Sequence, residues 1–571
     1  MKVPEKYDVI IAGAGLAGLT LALQLKQTKS DISILVLEKR SDNAPVATHK
    51  VGESLSEMGA SYLREVLNLK GYLTEHQLPK FGFRFFFSPE HNENIARRVE
   101  VGSRISNPYP SHQIDRGLLE NELVRRLTDC GVEVVLGARV TEVELSKAGH
   151  KIHFEKENNE QHHVEARWIV DSTGRNGLLK KKLGLKKEIG HDINSSWFRL
   201  DTVIDIDDWS DNLIWRNFVD PGRRRLATNH LMGEGYWVWI IPLIAGKTSI
   251  GIVADPRYHP FNEFNTFEKA MLWLEKHEPL AAIMLGKHKE KQMDFKVMKH
   301  FAYDTKQFYS ADKWALTGEA GAFMDPFYSP GSDFIALSNC WITDLIVRDI
   351  SGEDTALRTL VFDLAHKKLL SGWITLYRNM YGIFGKTQIM LMKIIWDWAA
   401  YWAVPNVLFI NKGYTDIDIL KQYSSSSASI GRRFAKLNEC MQELFQAWGQ
   451  YDIKPCSDHQ QNVFELNCLH KFQTELGLQY NNSVELMQKV ESNLKILEQI
   501  SAEIFRLVSN QINDTPDNMN VDPYTVLIGD GKDELLKKSA SQDALPVVET
   551  IRVDIAKMWL IDIKTPKNEF V

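Results

Sequence analysis

The spacing of hydrophobic residues changes along the chain and predicts which regions form strands and which form helices. A β-branched run at residues 9–11 is followed by apolar positions at helical spacing over 19–25 and by a second short apolar run at 34–37. This order predicts a strand, a helix and a second strand. A further apolar run at 166–170 predicts another buried strand, and the run at 314–317 returns to the same pattern.

The remaining regions have different periods. Residues 190–300 contain short runs that alternate with period two, and residues from 334 to about 510 repeat with the period of a helix. We therefore expect a mixed fold of the α/β (α+β) class. It contains a Rossmann-like nucleotide-binding domain that is interleaved with a β-sheet substrate domain. The expected boundaries are 1–345 for this pair, with sheet inserts at about 80–115 and 190–300, and 346–571 for a mostly helical region covering the substrate side.

A glycine-rich turn lies between the first predicted strand and helix. Gly13 permits a tight turn, Gly15 lets the backbone approach a pyrophosphate, and Gly18 lets the helix pack closely on the strand. The N–H groups that begin the helix then face the anion. Glu38, at the end of the second strand, is placed to accept hydrogen bonds from a ribose. The alternative is a glycine-rich turn that binds no ligand.

Two further turns follow predicted strands and extend the predicted nucleotide site. Residues 171–175 and 318–321 each place small residues at the carboxyl end of a strand, where α/β sheets bind ligands. FAD is long enough to use all three turns, whereas a nicotinamide cofactor needs fewer. Glu319 is suited to a ribityl hydroxyl and Arg116 to the pyrophosphate or the flavin. Arg116 has an alternative interpretation as a solvated residue at a helix start.

Composition narrows the classes of function. The chain has 571 residues, 44% of them hydrophobic and 25% charged, and its net charge of −6 gives no broad basic face for nucleic acid. Five scattered cysteines favour reduced thiols in the cytoplasm, and the group of Cys456, Cys468 and His470 lacks a fourth ligand at zinc-site spacing, so we expect no metal. Residues 389–410 are too interrupted for a transmembrane helix, and no signal peptide is expected.

Several motifs together resemble a known family. Residues 235–242 read Gly-Tyr-Trp-Val-Trp-Ile-Ile-Pro, and residues 323–331 read Phe-Met-Asp-Pro-Phe-Tyr-Ser-Pro-Gly. These are similar to the Trp-x-Trp-x-Ile-Pro signature and the Phe-x-x-Pro-x-x-Ser-x-Gly flavin loop of flavin-dependent halogenases, which share the p-hydroxybenzoate hydroxylase fold. Residues 50–55, Lys-Val-Gly-Glu-Ser-Leu, and Lys80 match the phenol- and pyrrole-type branch. The resemblance covers about residues 5–345.

The resemblance implies a set of site residues. Lys80 takes the position of the catalytic lysine, and Trp237 and Trp239 take that of the flavin wall. The flavin and halide loop corresponds to Ser329, Gly331 and Ser332. The cofactor contacts implied by the motifs and the resemblance together are Gly13, Gly15, Ala17, Gly18, Glu38, Lys39, Ser54, Arg116, Asp171, Gly174, Glu319, Pro326 and Gly331.

The implied activity is halogenation of an electron-rich aromatic of the phenol, resorcinol or pyrrole type in secondary metabolism, with the substrate free or bound to a carrier protein. Reduced FAD, O2 and chloride or bromide supply hypohalous acid, and a lysine directs it to the ring. No second glycine motif for NADPH is present, which favours a separate flavin reductase. Phenylalanines next to Lys80 are expected to lower its pKa by excluding water. The alternative is a surface lysine at a strand start.

Two residues depart from the family pattern. Tyr328 stands where tryptophan halogenases carry an acid, which disfavours free indoles as substrates. Pro330 supplies no N–H to a halide, although Gly331 and Ser332 can donate. A second interpretation therefore keeps the fold and replaces halogenation with aromatic hydroxylation or desaturation. A third is a flavin-binding or carrier-docking protein without turnover.

Aromatic residues are also frequent in the C-terminal region. They are suited to the wall of an aromatic substrate site, but plain helix packing is the favoured explanation, as it is the alternative for Trp237 and Trp239. The residues are Trp373, Tyr377, Tyr381, Trp396, Trp398, Tyr401 and Trp402.

Overall fold

The computed structural model describes residues 6–47, 50–87, 90, 92–426, 428–451, 459–513, 519–526 and 545–560. The strands are, in chain order, β1 (Lys6–Ala12), β2 (Ile34–Leu37), β3 (Leu78–Lys80), β4 (Phe83–Phe87), β5 (Val99–Gly102), β6 (Ser111–Gln113), β7 (Glu133–Val135), β8 (Ala138–Glu144), β9 (His150–Lys156), β10 (Gln161–Asp171), β11 (Lys186–Lys187), β12 (Asn194–Leu200), β13 (Thr228–Gly233), β14 (Tyr236–Leu243), β15 (Lys247–Ala254), β16 (Gln292–Met298), β17 (Asp304–Thr305), β18 (Tyr309–Ser310), β19 (Trp314–Leu316) and β20 (Gln460–Asn462).

Helices surround the sheets and make up most of the C-terminal part. They are α1 (Leu16–Thr28), α2 (Glu57–Ser61), α3 (Lys70–His76), α4 (Arg116–Asp129), α5 (Leu178–Lys182), α6 (Leu213–Asn217), α7 (Arg223–Leu226), α8 (Phe267–His277), α9 (Pro279–Gly286), α10 (Gly331–Ile350), α11 (Ala356–Thr375), α12 (Thr387–Tyr401), α13 (Val407–Ile410), α14 (Ile417–Ser424), α15 (Ile430–Trp448), α16 (Asn467–Glu475), α17 (Ser483–Asn513) and α18 (Glu549–Ala556).

The first sheet confirms the predicted nucleotide-binding architecture. Its main strand order is β18-β19-β10-β1-β2-β7, with β9 on β10 and β8 on β9. The central strands β19, β10, β1, β2 and β7 are parallel, and Ala12 lies opposite both Leu37 and Asp171. Because these strands run the same way, their carboxyl ends meet at one edge of the sheet.

The second sheet combines strands from distant parts of the chain. Its order is β16-β12-β15-β14-β13-β4-β5-β20, so the segments 83–102 and 194–298 lie side by side, and residues 460–462 add an edge strand. The expectation that residues 190–300 are largely β is incomplete, because helices α8 and α9 occupy most of residues 267–286 and pack on this sheet's outer face. The predicted domain boundaries remain a prediction.

The helical C-terminal part begins with α10, which starts at Gly331 rather than at Phe334 as the periodicity predicts. Residues 389–410 lie in the buried helix α12, a turn of π-helix (Trp402–Asn406) and α13. Their two charged side chains are buried as a pair, with Lys393 Nζ 2.7 Å from Asp397 Oδ2. Within the described ranges, no helix has both the length and the apolar character needed to cross a membrane.

Candidate active site

The glycine turn lies at the edge of the first sheet where the parallel strands end. Gly13 has a φ of +109°, and a Cβ there would lie 2.5 Å from the carbonyl oxygen of Ser172, so only glycine fits. A Cβ on Gly18 would lie 2.1 Å from the carbonyl oxygen of Gly13, which is the close helix–strand packing that the sequence predicts. Both glycines therefore shape the turn itself.

Gly15 differs from its two neighbours because its Cβ position is open. No protein atom lies within 4 Å of that position, and Gly15 immediately precedes the first residue of α1. The first N–H groups of a helix have no acceptor within the helix, and they attract an anion. Glu38 lies beside this turn and accepts a hydrogen bond from the Ala14 N–H at 2.7 Å. These residues fit the pyrophosphate and ribose of a dinucleotide.

The second and third turns reach the same edge. Asp171 is buried, and its carboxylate accepts hydrogen bonds from Thr173 and from the Leu179 N–H, so it shapes its turn. Gly174, in that turn, has a φ of +62° and open space at its Cβ position. A Cβ on Gly318 would lie 2.9 Å from the Cβ of Ala17, which shows that the third turn lies over the start of α1.

Arg116 and Glu319 lie close enough to influence each other across this site. The pKa of Glu319 is raised by burial, and Arg175 and Arg116 oppose that rise. Arg116 donates to the carbonyl of Val51 and to Glu120 and is half-buried, so the alternative of a solvated residue is wrong. Its buried Nε has no partner among the described residues, and that nitrogen is available to a cofactor.

Two of the predicted cofactor residues, Ser54 and Lys39, do not lie in the three turns described above. Ser54 is buried and its hydroxyl is 2.8 Å from that of Thr228, so the protein already satisfies it. Lys39 is exposed beyond the end of β2. Their cofactor contacts remain predictions, as do those of the other residues of this set.

The predicted flavin and halide loop leads directly into α10. Ser329 has a φ of +58°, and Pro330 is the residue before the helix, with its carbonyl accepting from the N–H groups of Asp333 and Phe334. Pro326 is half-buried earlier in the loop, where its carbonyl accepts from the Ser329 N–H at 2.9 Å. The N–H groups of Gly331 and Ser332 are the first of α10 and have no acceptor within the helix.

Trp237 is linked to this loop through a chain of hydrogen bonds. Its Nε1 donates to the hydroxyl of Tyr381 at 3.0 Å, and that hydroxyl donates to Asp325 Oδ2 at 2.5 Å. Trp239 instead donates to Ser249 at 3.2 Å. Both indoles are buried on the inner face of the second sheet, as the alternation predicts. Trp237 therefore anchors the loop, and a contact of either ring with flavin remains a prediction.

Lys80 is buried, with only 7% of its surface exposed, so the alternative of a surface lysine is wrong. Its Nζ donates to the carbonyl of Leu55 at 2.7 Å and lies 3.5 Å from the centre of the Phe83 ring. Burial lowers the pKa of Lys80 from 10.5 to about 7, and the carboxylates of Glu57 and Asp333 oppose this shift. A large fraction of the amine is therefore neutral near pH 7.

Two buried carboxyl groups that the sequence analysis did not identify lie beside Lys80. Asp333 accepts from Gly59 N at 2.8 Å, from Ser56 Oγ at 2.5 Å and from the Tyr401 hydroxyl at 2.7 Å. Burial raises the pKa of Asp333 to about 7 and also raises that of Glu57. Both residues lie close in sequence to predicted motifs, since Glu57 follows the 50–55 motif and Asp333 follows Gly331 by two residues. Only the fold, however, brings the two carboxyl groups next to Lys80.

A cavity of about 680 Å³ opens beside this cluster. Lys80, Glu57 and Asp333 lie at one end of it, next to the aromatic rings of Phe83 and Tyr328. The Tyr328 hydroxyl donates to Asp397 at 2.9 Å. The cavity combines apolar walls with a few polar groups, which is typical of a small-molecule site.

The C-terminal aromatic residues divide into two groups. Tyr377, Tyr381 and Trp396 are fully or almost fully buried among other side chains, as the packing explanation predicts. Four others line the cavity, so packing alone does not account for them: Trp373, Trp398, Tyr401 and Trp402. Within the described residues, no group of three His, Cys, Asp or Glu side chains is placed to hold a metal ion, and Cys456 lies outside those residues.

The architecture, and the three turns at the edge of the first sheet where its parallel strands end, define an FAD-binding flavoprotein. Comparison with known proteins supports this class. Residues 6–238 match the model of the family described as FAD binding domain. The chain is 27% identical over 440 residues to the flavin-dependent halogenase chlA of Dictyostelium discoideum, covering 71% of each chain. It is 26% identical over 349 residues to a 1H-pyrrole-2-carbonyl-[peptidyl-carrier protein] chlorinase of Pseudomonas fluorescens, covering 57% of this chain and 72% of that protein.

The fold is also that of a solved halogenase. The crystal structure of halogenase PltM in complex with phloroglucinol and FAD superposes with a TM-score of 0.61 and 18% identity, covering 85% of this chain and 96% of that one. Together with the motifs around Lys80, residues 235–242 and residues 323–331, these findings support a flavin-dependent halogenase, as the sequence motifs predict.

Proposed function

We propose that this enzyme uses FADH2, O2 and chloride or bromide to halogenate an electron-rich aromatic ring of the phenol, resorcinol or pyrrole type in secondary metabolism. The observation that carries this proposal is the position of Lys80, which is buried at the inner end of the aromatic cavity and close to the 323–333 segment. Reduced FAD, when bound, would activate O2, and O2 would be the oxidant that converts halide to hypohalous acid.

The polar residues at the inner end have distinct proposed roles. Lys80 holds the hypohalous acid by a hydrogen bond, or its neutral amine takes the halogen to form a haloamine while the O–halogen bond breaks and water leaves. Its lowered pKa is suited to the second role, because only the neutral amine accepts a halogen. Asp333 and Glu57 set the charge of Lys80, since a nearby carboxylate favours the ammonium form. The aromatic walls hold the ring that is attacked.

The halide is proposed to bind at the start of α10. Gly331 and Ser332 offer the first N–H groups of this helix. Gly331 is exposed, and no protein atom lies within 4 Å of the position that a Cβ would take there. Pro330 offers no N–H, which leaves these two groups as the donors. The same feature favours the second candidate function, aromatic hydroxylation without a halide.

Partners and location are proposed from the sequence, the relatives and the cysteines. A separate flavin reductase is proposed because the sequence carries no second glycine motif for NADPH. A carrier-bound substrate is proposed as an alternative to a free one because relatives act on pyrrole-2-carbonyl carrier proteins. A cytoplasmic location is supported by the free thiols of Cys130, Cys340, Cys440 and Cys468.

The test is to incubate the FAD-loaded protein with a flavin reductase, NADH, oxygen and bromide, and to analyse the products by mass spectrometry. Phloroglucinol, resorcinol and pyrrole-2-carboxylate, free and as a carrier thioester, form the panel. A product with bromine's paired isotope peaks supports halogenation. A product that gains only oxygen, at the same rate with and without bromide, contradicts it and establishes the hydroxylase function.

A further inference from the structure

The cavity continues well beyond the space that one aromatic ring needs beside Lys80. Dihydroxybenzene has eight non-hydrogen atoms, and at roughly 30 Å³ each, the volume of a liquid water, it fills at most about 240 Å³. The cavity has about 680 Å³. More than half of its volume is therefore left for another part of the substrate.

The extra volume lies between helices α11, α14 and α15, and we call it the outer channel. Its walls are mainly apolar, which disfavours a polar or sugar-like group there. The side chains that give it this character are Ala365, Leu369, Leu376, Leu420, Phe434 and Ala435.

Trp398 and Tyr414 are among the buried residues of the cavity wall that have a polar atom without a partner among the described residues. Trp398 is 7% exposed and its Nε1 is unpaired, and Tyr414 is 3% exposed with an unpaired hydroxyl. Trp398 lies beside Phe83, with ring centres 6.3 Å apart, and thus near Lys80. Buried donors in proteins are normally satisfied, so the unpaired Nε1 of Trp398 is suited to a hydroxyl on the ring of a ligand.

Basic side chains surround the end of the channel that opens to solvent. Lys368, Arg432 and Lys436 are all exposed and line the cavity. Lys436 lies 3.4 Å from Glu439, whereas Lys368 and Arg432 form no ion pair within the part of the chain that the structure describes. This local excess of positive charge, on a chain with a net charge of −6, favours an anion at the mouth.

We propose that the substrate is an aromatic ring that carries an apolar chain ending in an anionic group, with the chain in the outer channel and the anion at the basic mouth. This inference rests on the proposed function, which places the ring at Lys80. The anion is either the carboxylate of a free molecule or the phosphodiester of a carrier's phosphopantetheine arm, since both have the charge that the mouth favours.

The test measures binding to the FAD-loaded protein by isothermal titration calorimetry, so that it does not depend on turnover. The probes are resorcinol, 5-pentylresorcinol and 6-(3,5-dihydroxyphenyl)hexanoic acid. Burial of a methylene group raises affinity about fourfold, so a pentyl chain with all five carbons buried is expected to bind on the order of a thousandfold more tightly than resorcinol. The acid is expected to bind more tightly still at low salt, with the extra affinity lost at 1 M salt.

Variants locate the two parts of the site. Leu376→Trp narrows the outer channel and is expected to reduce the preference for 5-pentylresorcinol over resorcinol at least tenfold. Arg432→Glu is expected to abolish the preference for the acid over the pentyl compound. Lys276→Glu, an exposed lysine on α8 far from the cavity lining, is the matched control and is expected to leave both preferences unchanged.

Equal affinity for resorcinol and 5-pentylresorcinol would overturn the chain site, and equal affinity for the acid and the pentyl compound at low salt would overturn the anion site. A comparison of the acid with its phosphopantetheine thioester decides the source of the anion, because the natural form binds more tightly. If the binding order holds but none of the probes is brominated, the proposed function fails while the binding inference stands.

Discussion

Replacement of Lys80 by methionine is expected to stabilise the protein while it abolishes halogenation. Methionine keeps the length and apolar stem of lysine, but it does not carry a charge into the protein interior. The pKa of Lys80 is lowered from 10.5 to about 7, so the folded state binds its proton less tightly than the unfolded chain does. Lys80 therefore costs free energy at every pH below its unfolded pKa.

The size of the effect follows from this shift. Each pKa unit corresponds to about 1.4 kcal/mol, which gives a cost of about 4 kcal/mol at pH 7 and about 2 kcal/mol at pH 9. The cost is largest below pH 7, where the ammonium must form in the folded state, and it disappears as the pH approaches 10.5. Loss of the ammonium also raises the pKa of Glu57 further, and this reduces the advantage of the variant as the pH rises.

The assay is urea unfolding of wild type and Lys80→Met, followed by tryptophan fluorescence at pH 7, 8 and 9. The variant is expected to have the higher free energy of unfolding at pH 7, and the difference is expected to fall by about 2 kcal/mol by pH 9. Lys70→Met, at an exposed position on α3, is the control and is expected to change little at any pH. A Lys80→Met variant that is less stable than wild type at pH 7, or a difference independent of pH, would refute the reasoning.

Three further predictions concern the cofactor, the proton balance and the halide. Gly15→Val is expected to weaken FAD binding at least about a hundredfold in flavin fluorescence titrations, yet leave the circular dichroism spectrum unchanged, because its Cβ position is open only on the ligand side; unchanged FAD affinity would contradict the site. Asp333→Asn removes a carboxylate that favours charged Lys80, so the lower inflection in the pH profile of kcat should move roughly 1 unit to lower pH; an unmoved inflection would separate Asp333 from Lys80. Pro330→Ser adds an N–H before α10 and is expected to lower the KM for bromide several-fold, whereas Pro260→Ser, at an exposed turn, should not change it.

The elements around the nucleotide edge were predictable from the sequence because their signals are local. The strand–turn–helix at Gly13 to Gly18 depends on residues within one turn, and Glu38 follows its strand directly. Lys80 was predictable as a site residue only through its motif. Its burial follows from the pairing of β3 with β6 and from its packing on Phe83, which spacing alone does not determine.

The carboxyl cluster and the outer channel were not predictable, because distant segments form them. Asp333 and Glu57 are 276 positions apart, and Tyr401, which donates to Asp333, comes from a third segment. Aromatic residues on a buried helix have the same spacing whether they face a core or a cavity. Only the arrangement of α12 against the second sheet separates Trp398, which lines the cavity, from Trp396, which does not.

The most direct test of the central claim is the yield of brominated product per FADH2 oxidised, measured for wild type and for Lys80→Met with a substrate from the panel. The variant is expected to bind FAD and to oxidise FADH2 at the wild-type rate within about twofold but to form no brominated product, since Lys80 lies in the cavity and not at the nucleotide edge. Brominated product from Lys80→Met at a yield close to that of wild type would contradict the account.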